Sequence, residues 1–308
     1  MVSTPAFDPG VFISDRSSSV RRMLADPRSV LLNRAAFGMY LPGSIMKPIV
    51  ALTALTHGAV TPAETVTCPG FLQIGDRRFH CWNRDGHGAL SVRDALRESC
   101  NVFFLEMGRR LGQERLVEAY HHIGFGHPAG WLLGESAGYL PSGDLHGGES
   151  AMVAIGQGPI LITPLQAAAM AAAVANGGLL VHPWVVAQVG DQARAGAPAT
   201  PLGWPASHLA VVREGMRAVV NDPAGTGIYA HSDLVVIAGK TGTAQTGRPG
   251  LTHGWFIGFC PAENPVAAFA IVAEFGGSGG DLPARIGKAI CEYLAQPVAN
   301  AKTSLGDT

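Results

Sequence analysis

Apolar residues recur at the spacing of a helix face through much of the first two thirds of the chain. The repeat of three and four residues is clear in three segments, 44–57, 92–111 and 116–122. Residues 1 to about 40 differ, because turn residues there alternate with short apolar pieces such as Val11-Phe12-Ile13. The pattern predicts an extended opening segment followed by a mainly helical region.

The stretch 150–190 contains no Asp, Glu, Lys or Arg, a length that could hold a membrane-spanning helix of about 20 residues. Gly156 and Pro164 interrupt it, and Asn176-Gly177-Gly178 ends it. What remains, 165–175, is apolar on every side but too short to span a membrane. We therefore expect a fully buried core helix at this point.

The last third of the chain changes to strand-like runs between two helices. Helices are predicted over about 206–221 and 283–294. Strands are predicted at 234–238, 255–260 and 266–275. Short turns rich in glycine and proline separate the strands, which favours an antiparallel meander.

Composition is that of a globular chain with a large core. Of the 308 residues, 47% are hydrophobic and only 15% are charged. The net charge is -1, so there is no basic excess for a nucleic-acid partner, and no signal peptide is evident. We predict a single α/β domain over 1–308. Its core, about 1–50 and 200–308, contains an antiparallel sheet flanked by helices, and about 51–199 form a mainly helical lobe.

The first candidate for chemistry is Pro42-Gly43-Ser44-Ile45-Met46-Lys47. A Pro-Gly turn leads into an apolar helix, and Ser44 and Lys47 share one face of it because they are three residues apart. A serine hydroxyl becomes a good nucleophile when a base takes its proton. Lysine can be that base where apolar surroundings and a helix dipole favour its neutral amine. Alone, Ser-x-x-Lys is common on ordinary helix surfaces.

Two further motifs make the pattern specific. Ser99-Cys100-Asn101 and Lys240-Thr241-Gly242-Thr243 follow along the chain. Each has an ordinary interpretation by itself, a cap or turn for the first and a strand end for the second. The order Ser-x-x-Lys, Ser-x-Asn, Lys-Thr-Gly belongs to serine acyl-transfer enzymes that react with penicillin. Together the three motifs predict such a site.

The motifs and their flanks resemble the transpeptidase domain of class B penicillin-binding proteins, most of all the elongation type, penicillin-binding protein 2. The resemblance covers nearly the whole chain and extends to segments 2–9, 33–35, 40–44, 86–88, 156–158, 163–166, 239–245 and 253–259. Leu41 and Ile45 replace a common proline and threonine, but neither is a reacting group. The resemblance implies the penicillin-binding protein/serine β-lactamase-like fold.

The resemblance also implies a role for each catalytic residue. Ser44 attacks the carbonyl of a D-alanyl-D-alanine stem peptide, and Lys47 takes the serine proton. Ser99 passes that proton towards the leaving amine, with Lys240 tuning the field. Asn101 holds Lys47 and contacts the substrate amide.

Substrate binding is assigned by the same resemblance to Thr241, Gly242 and Thr243. The backbone N–H groups of Ser44 and Thr243 form an oxyanion hole, and the two threonine hydroxyls hold the terminal carboxylate. The amine of a second strand then deacylates the enzyme and forms a cross-link. β-Lactam antibiotics acylate the same serine.

Proteins with two other functions share most of these catalytic residues. A serine β-lactamase requires efficient deacylation, and the sequence offers no convincing glutamate motif for it. A penicillin-recognising sensor domain would retain the serine and lysine without the transfer reaction. The transpeptidase is favoured over both.

Location and partners also follow from the resemblance. The full-length protein is expected at the periplasmic face of the bacterial inner membrane, with a membrane-embedded glycan polymerase and the elongation complex as partners. Because this sequence contains no anchor, we expect it to be a soluble fragment.

Four metal-ligand residues lie between the first two motifs or within the second, namely Cys68, Cys81, His87 and Cys100. Three thiolates and an imidazole are a complete ligand set for a structural zinc. We predict such a zinc in the loop 68–100, and no cofactor for catalysis. The rival is a Cys68–Cys81 disulfide, which an oxidising periplasm permits. Elongation-type relatives resemble this region, which favours the metal.

The other two cysteines, Cys260 and Cys291, are expected to be buried residues of apolar character. Under the zinc hypothesis, three of the five cysteines are ligands and two belong to the core, so no disulfide is required.

Overall fold

A computed structural model describes residues 1–13, 17–130, 134–145 and 148–296. Its α-helices are α1 (Ser17–Leu24), α2 (Arg34–Phe37), α3 (Lys47–Thr56), α4 (Val92–Arg97), α5 (Asn101–His122), α6 (Glu149–Val153), α7 (Pro164–Ala175), α8 (Ala206–Asn221) and α9 (Leu282–Ala295). Short 3-10 helices are found at Pro9–Phe12, Gly43–Met46 and Ile228–Ala230. Residues 297–308 of the predicted domain lie outside the described residues.

The strands are β1 (Val66–Cys68), β2 (Phe71–Ile74), β3 (Arg77–His80), β4 (Gly88–Leu90), β5 (Leu179–Leu180), β6 (Gln188–Val189), β7 (Gln192–Ala193), β8 (Thr200–Pro201), β9 (Ala238–Gln245), β10 (Thr252–Cys260) and β11 (Ala267–Ala273). The main sheet has the order β11-β10-β9, and both pairs are antiparallel. The other strands form two-stranded ribbons, β1 with β4, β2 with β3, β5 with β8 and β6 with β7.

The central strand β10 explains how helices cover both faces of the main sheet. Alternate residues Trp255, Ile257 and Phe259 belong to the larger hydrophobic core, because successive strand side chains point to opposite faces. Phe256 and Cys260 belong to a second, smaller core that includes residues of α9. Helix α7 packs against both β10 and β11. The antiparallel meander and the closing helix are therefore confirmed.

The uncharged stretch contains the buried helix that its pattern predicts. Helix α7 begins with a capping box, in which Thr163 and Gln166 each accept from the other's backbone N–H. Most of its residues are buried in the larger core. Across the described part of the chain, we find no helix with the length and apolar character needed to cross a membrane.

Three expectations about secondary structure are wrong. The opening segment contains a 3-10 helix and two short α-helices rather than extended chain. The predicted helix 92–111 is divided into α4 and α5, because Ser99 adopts a left-handed backbone with φ of 52°. The strand predicted at 234–238 begins only at Ala238, after an exposed Leu234.

Candidate active site

The nucleophile candidate Ser44 lies in a tightly packed turn at the start of α3. Gly43 has a φ of +57°, and a Cβ there would come within 2.7 Å of the Thr243 carbonyl oxygen. On the other side, Gly43 N–H donates to the Gly156 carbonyl at 2.9 Å. A Cβ on Gly156 would approach the Gly43 oxygen to 2.1 Å. The turn is thus held between β9 and the 156–158 loop, and Ser44 itself is half-buried.

Lys47 is one helical turn further along and fully buried. Its Nζ donates to the Ser99 carbonyl and to Asn101 Oδ1, both at 2.7 Å, and lies 3.2 Å from Ser99 Oγ. Burial lowers the pKa of Lys47 to about 8, although the thiols of Cys100 and Cys81 act in the opposite direction. A substantial fraction of the amine is therefore neutral near physiological pH and able to accept a proton.

Lys240, on β9, is also fully buried. Its Nζ donates to Ser99 Oγ and to the Thr241 carbonyl, both at 2.9 Å. Burial, followed by the nearby charge of Lys47, lowers the pKa of Lys240 well below its usual range. The Ser99 hydroxyl consequently lies between two lysine amines, in a position to exchange a proton with either.

The corner between α4 and α5 creates this arrangement. Ser99 has the left-handed backbone, and Cys100 caps α5 by accepting a hydrogen bond from Phe103 N–H at 3.4 Å. Asn101 is the first residue of α5 and turns its side chain towards Lys47. The corner thereby places a hydroxyl and an amide beside the lysine.

Strand β9 borders the candidate site through Lys240 and the residues that follow it. It is an edge strand of the main sheet, so one row of its backbone groups has no strand partner in the sheet order. Thr241 is buried and Thr243 is exposed. The Oγ1 of Thr241 lies 2.7 Å from Oγ1 of Thr226, in the loop after α8.

The structure thus brings four of the predicted catalytic residues into one hydrogen-bonded cluster, Lys47, Ser99, Asn101 and Lys240. It places Ser44 one turn before Lys47 and Thr241 directly after Lys240. The Lys-Thr-Gly motif lies inside β9 and not at a strand end. Thr226 was not predicted, because a threonine between two glycines in a loop carries no distinctive sequence signal.

The predicted metal ligands also come together, on the other side of the same corner. One ligand atom from each of Cys68, Cys81, His87 and Cys100 lies within 4.8 Å of every other. All five cysteines are free thiols, so the Cys68–Cys81 disulfide is not formed.

The surroundings of this Cys/His cluster favour thiolates. The Cys81 sulfur accepts from Asn101 N–H at 3.3 Å, at the positive end of α5. The Cys100 thiol, together with backbone N–H groups of Asn101 and Val102, holds the pKa of Cys81 well below its usual range. His87 Nδ1 lies 3.5 Å from the Cys81 sulfur.

The second ring nitrogen of His87 has a distinct environment. Nε2 is buried without a hydrogen-bond partner among the described residues, and Glu98 Oε2 lies 3.8 Å away. A carboxylate beside the free nitrogen of a ligating histidine is the usual outer contact of a zinc site. The type and the proximity of the four donors therefore fit a zinc site, in which the three thiolates and the imidazole would be the ligands.

The antiparallel sheet between helices, with Ser-x-x-Lys, Ser-x-Asn and Lys-Thr-Gly meeting at one point, defines a penicillin-recognising protein with an active-site serine. Residues 1–292 match the family described as "Penicillin binding protein transpeptidase domain". The chain belongs to this family, and to its class B branch of the penicillin-binding protein 2 (MrdA) type.

The comparisons with individual proteins agree. Peptidoglycan D,D-transpeptidase MrdA of Salmonella typhimurium is 31% identical over 97% of this chain and 54% of its own length. The crystal structure of Pseudomonas aeruginosa PBP2 in complex with WCK 5153 gives a TM-score of 0.90 at 34% identity, over 97% of this chain and 71% of that one. The imipenem acyl-enzyme of Mycobacterium tuberculosis penicillin-binding protein A gives 0.83 at 28%, over 96% and 70%.

These likenesses confirm the predicted fold, the penicillin-binding protein/serine β-lactamase-like α/β fold. The chain spans about half the length of the curated MrdA relative.

Proposed function

We propose that the chain is the catalytic part of a peptidoglycan D,D-transpeptidase that is also acylated by β-lactams. The observation that carries this proposal is the buried Lys47–Ser99–Lys240 arrangement one helical turn from Ser44. A neutral lysine amine beside a nucleophilic serine is what acyl transfer requires. The match to the transpeptidase family supports the same reaction.

In the acylation step, neutral Lys47 accepts the Ser44 proton while Ser44 Oγ bonds to the carbonyl carbon of the penultimate D-alanine. The resulting oxyanion is stabilised by the backbone N–H groups of Ser44 and Thr243, each worth about 2.7–4 kcal/mol in comparable sites. Ser99 then gives a proton to the departing amine and recovers one from Lys47, so that terminal D-alanine leaves as a neutral amine.

In the transfer step, an acceptor amine of a second stem peptide attacks the acyl-enzyme carbonyl. The same groups act in reverse, because the amine loses a proton as its bond forms and Ser44 regains one on leaving. Asn101 keeps the Lys47 amine in place throughout, and Thr241 and Thr243 hold the donor's terminal carboxylate during acylation. At Gly242 a Cβ would come within 2.9 Å of Ile45 Cγ2, so glycine lets β9 lie against the turn that carries Ser44.

A fluorescent penicillin tests this proposal. Incubation with the chain, followed by intact mass and peptide mapping, is expected to give a stable adduct on Ser44. Rapid turnover of the antibiotic would instead support a β-lactamase. No adduct, or one that survives Ser44→Ala, would overturn the serine mechanism.

Transfer itself needs a second assay, with stem-peptide donor and acceptor supplied together. A cross-linked product supports the transpeptidase. A stable penicillin adduct without any peptide reaction would support a sensor domain. The proposal extends to the setting of the whole protein, at the periplasmic face of the inner membrane beside a glycan polymerase of the elongation complex.

We also propose that Cys68, Cys81, Cys100 and His87 Nδ1 hold a structural zinc. It would stabilise a loop-rich segment and, through Cys100, fix the corner that carries Ser99 and Asn101. Catalysis needs no cofactor of its own.

Metal analysis and thiol counting on the same sample test the zinc proposal. One equivalent of zinc, with no disulfide detected after denaturation, is expected. Absence of zinc together with one disulfide joining Cys68 to Cys81 would overturn it.

A further inference from the structure

Thr226 touches the site from a loop that none of the three motifs contains. Its Oγ1 lies 2.7 Å from Oγ1 of Thr241, the usual distance for a hydrogen bond between two hydroxyls. Thr226 is half-buried and Thr241 is buried. The contact therefore involves the strand residue that the proposed function assigns to the substrate carboxylate.

The loop that carries Thr226 is fixed by its backbone. Thr226 N–H donates to the Arg97 carbonyl at 3.3 Å, and Gly227 N–H donates to the Val219 carbonyl at 2.9 Å. On a third side, a Cβ at Gly280 would come within 2.5 Å of the Thr226 carbonyl oxygen. These contacts fix the backbone of Thr226 independently of any substrate, and its hydroxyl makes the contact with Thr241 Oγ1.

The loop is also tied to the corner that carries Ser99. The Arg97 guanidinium donates to Asp222 Oδ2 at 3.1 Å, at the start of the loop. Arg97 is two residues before Ser99 in the chain. The position of Thr226 is thus linked to the part of the molecule that arranges the lysine cluster.

Two hydroxyls in contact share one proton between them and keep a second for another acceptor. When Thr226 is the donor, the Thr241 proton is free to point towards the substrate side of β9. An anion at that position favours this orientation, because it accepts the remaining proton as a charge-assisted hydrogen bond.

We propose that Thr226 is a positioning residue for the substrate's terminal carboxylate, donating its own proton to Thr241 and directing the Thr241 proton to that carboxylate. The inference rests on the proposed function, which assigns Thr241 to the carboxylate. It adds a fourth segment, the loop after α8, to the three that the motifs supply.

The test compares a penicillin with its methyl ester, which has the same ring but no carboxylate. Second-order acylation rates are measured for the wild type, Thr226→Val, Thr226→Ser and the control Thr200→Val, an exposed threonine on β8. Thr226→Val is expected to slow the free acid about fivefold to tenfold, as for loss of one directed hydrogen bond. Its rate with the ester should stay within about twofold of wild type.

Rescue separates the hydroxyl from the shape of the side chain. Thr226→Ser retains the hydroxyl and is expected to react with the free acid within about twofold of wild type, as is Thr200→Val. Equal losses with acid and ester in Thr226→Val, unchanged rates with both, or failure of the serine variant to restore the acid rate would overturn the inference. If Thr226→Val fails to fold, the acid-to-ester ratio of Thr226→Ala decides in the same way.

Failure of the proposed function can be distinguished from failure of this inference. A wild-type chain that gains no label at Ser44 from the free acid would overturn that function and this inference together. Normal labelling of the wild type with no selective effect at Thr226 would overturn this inference alone.

Discussion

Two buried polar clusters of opposite character lie on either side of Ser99-Cys100-Asn101. In the lysine cluster, the amines of Lys47 and Lys240 share the Ser99 hydroxyl, and their recorded partners are neutral oxygens. In the Cys/His cluster, three thiols and an imidazole face one another. In the lysine cluster, burial disfavours the charged form of the amines. In the Cys/His cluster, the sulfur atoms can carry negative charge that a metal cation would neutralise.

Under the two proposals above, the lysine cluster serves the reaction and the Cys/His cluster serves the stability of the fold. Burying an amine without a carboxylate destabilises its charged form, and the lowered pKa of Lys47 suits the role of base that we propose for it. Burying thiolates is favourable once a metal binds them, and binding then contributes to folding. The two environments meet at Cys100, which belongs to the Cys/His cluster and lies in the chain between Ser99 and Asn101 of the lysine cluster.

The largest expected effect comes from removing the nucleophile beside the lysine cluster. Ser44→Ala should lower penicillin acylation by more than about 10⁴-fold, as removal of a catalytic serine does elsewhere. The side chain is small and half-buried, so the melting temperature should hardly change. Intact mass and differential scanning calorimetry measure the two. A large fall in melting temperature would show that the turn serves stability as well.

The lysine cluster is tested next by Lys47→Met, which keeps an unbranched apolar chain in the same space. Loss of the general base should slow acylation about 10²- to 10⁴-fold. The free energy of unfolding should stay within about 1 kcal/mol, because the lost hydrogen bonds are offset by removal of a buried amine. Stopped-flow labelling and urea unfolding check both numbers. Destabilisation by several kcal/mol would mean that this cluster is structural too.

The pH dependence of acylation examines the same amine without mutation. Lys47 acts as a base only when neutral, and burial lowers its pKa to about 8, so its active fraction increases as the pH rises. The rate should increase about tenfold between pH 6 and pH 7 and level off above pH 9, as for a single base of that pKa. Rates at constant ionic strength give the profile. A flat profile over this range contradicts the role of Lys47.

In the Cys/His cluster, Cys81→Ser removes one thiol, and we expect a large loss of stability with only a small loss of acylation, the opposite of the result expected for Lys47→Met. Zinc content should fall and the free energy of unfolding should decrease by about 3 kcal/mol, because metal binding contributes to folding. Acylation of the protein that stays folded should fall by less than about tenfold, since Ser99 and Asn101 only lose a support.

Cys291→Ala provides the matched control. This cysteine is fully buried in the second core and is not one of the four proposed zinc ligands. It should retain the zinc of the wild type. Metal analysis with urea unfolding distinguishes the two variants. Equal zinc content in both would contradict the ligand assignment.

The smallest effect is expected at Tyr40→Phe, which lies outside both clusters. The Tyr40 hydroxyl donates to Glu274 Oε1 at 2.9 Å, and Glu274 also accepts from Arg34 Nε at 2.8 Å. Removing one partly buried hydrogen bond should cost about 1 kcal/mol of unfolding free energy and leave acylation within about twofold. Urea unfolding and labelling measure both. A strong loss of acylation would extend the reactive region beyond the lysine cluster.

Most of the fold and the residues of both clusters could be predicted from the sequence, because short segments of the chain carry the patterns that indicate them. Helical periodicity predicted α3, an uncharged apolar run bounded by glycine and proline predicted α7, and three ordered motifs predicted Ser44, Lys47 and Lys240 as site residues. The four metal-ligand residues were recognisable from residue type alone. What periodicity could not supply was the backbone geometry that joins them.

Three features depend on that geometry. The left-handed backbone of Ser99 divides one predicted helix into two, and nothing in its apolar spacing indicates the break. The Lys-Thr-Gly segment lies within β9 because the register pairs Gln245 with Thr252 across a short turn, which fixes where pairing begins. The contact of Thr226 with Thr241 joins the loop after α8 to strand β9, and no pattern in either segment indicates that they meet.

The close approach of Gly43 and Gly156 has a consequence for how such a protein can evolve under antibiotic selection. Because main chain meets main chain there, neither position has room for a side chain that would narrow the site against a drug. Resistance is therefore expected from positions where a side chain has room. In a variant library of the full-length protein grown on a β-lactam, we expect no survivor to be altered at Gly43 or Gly156.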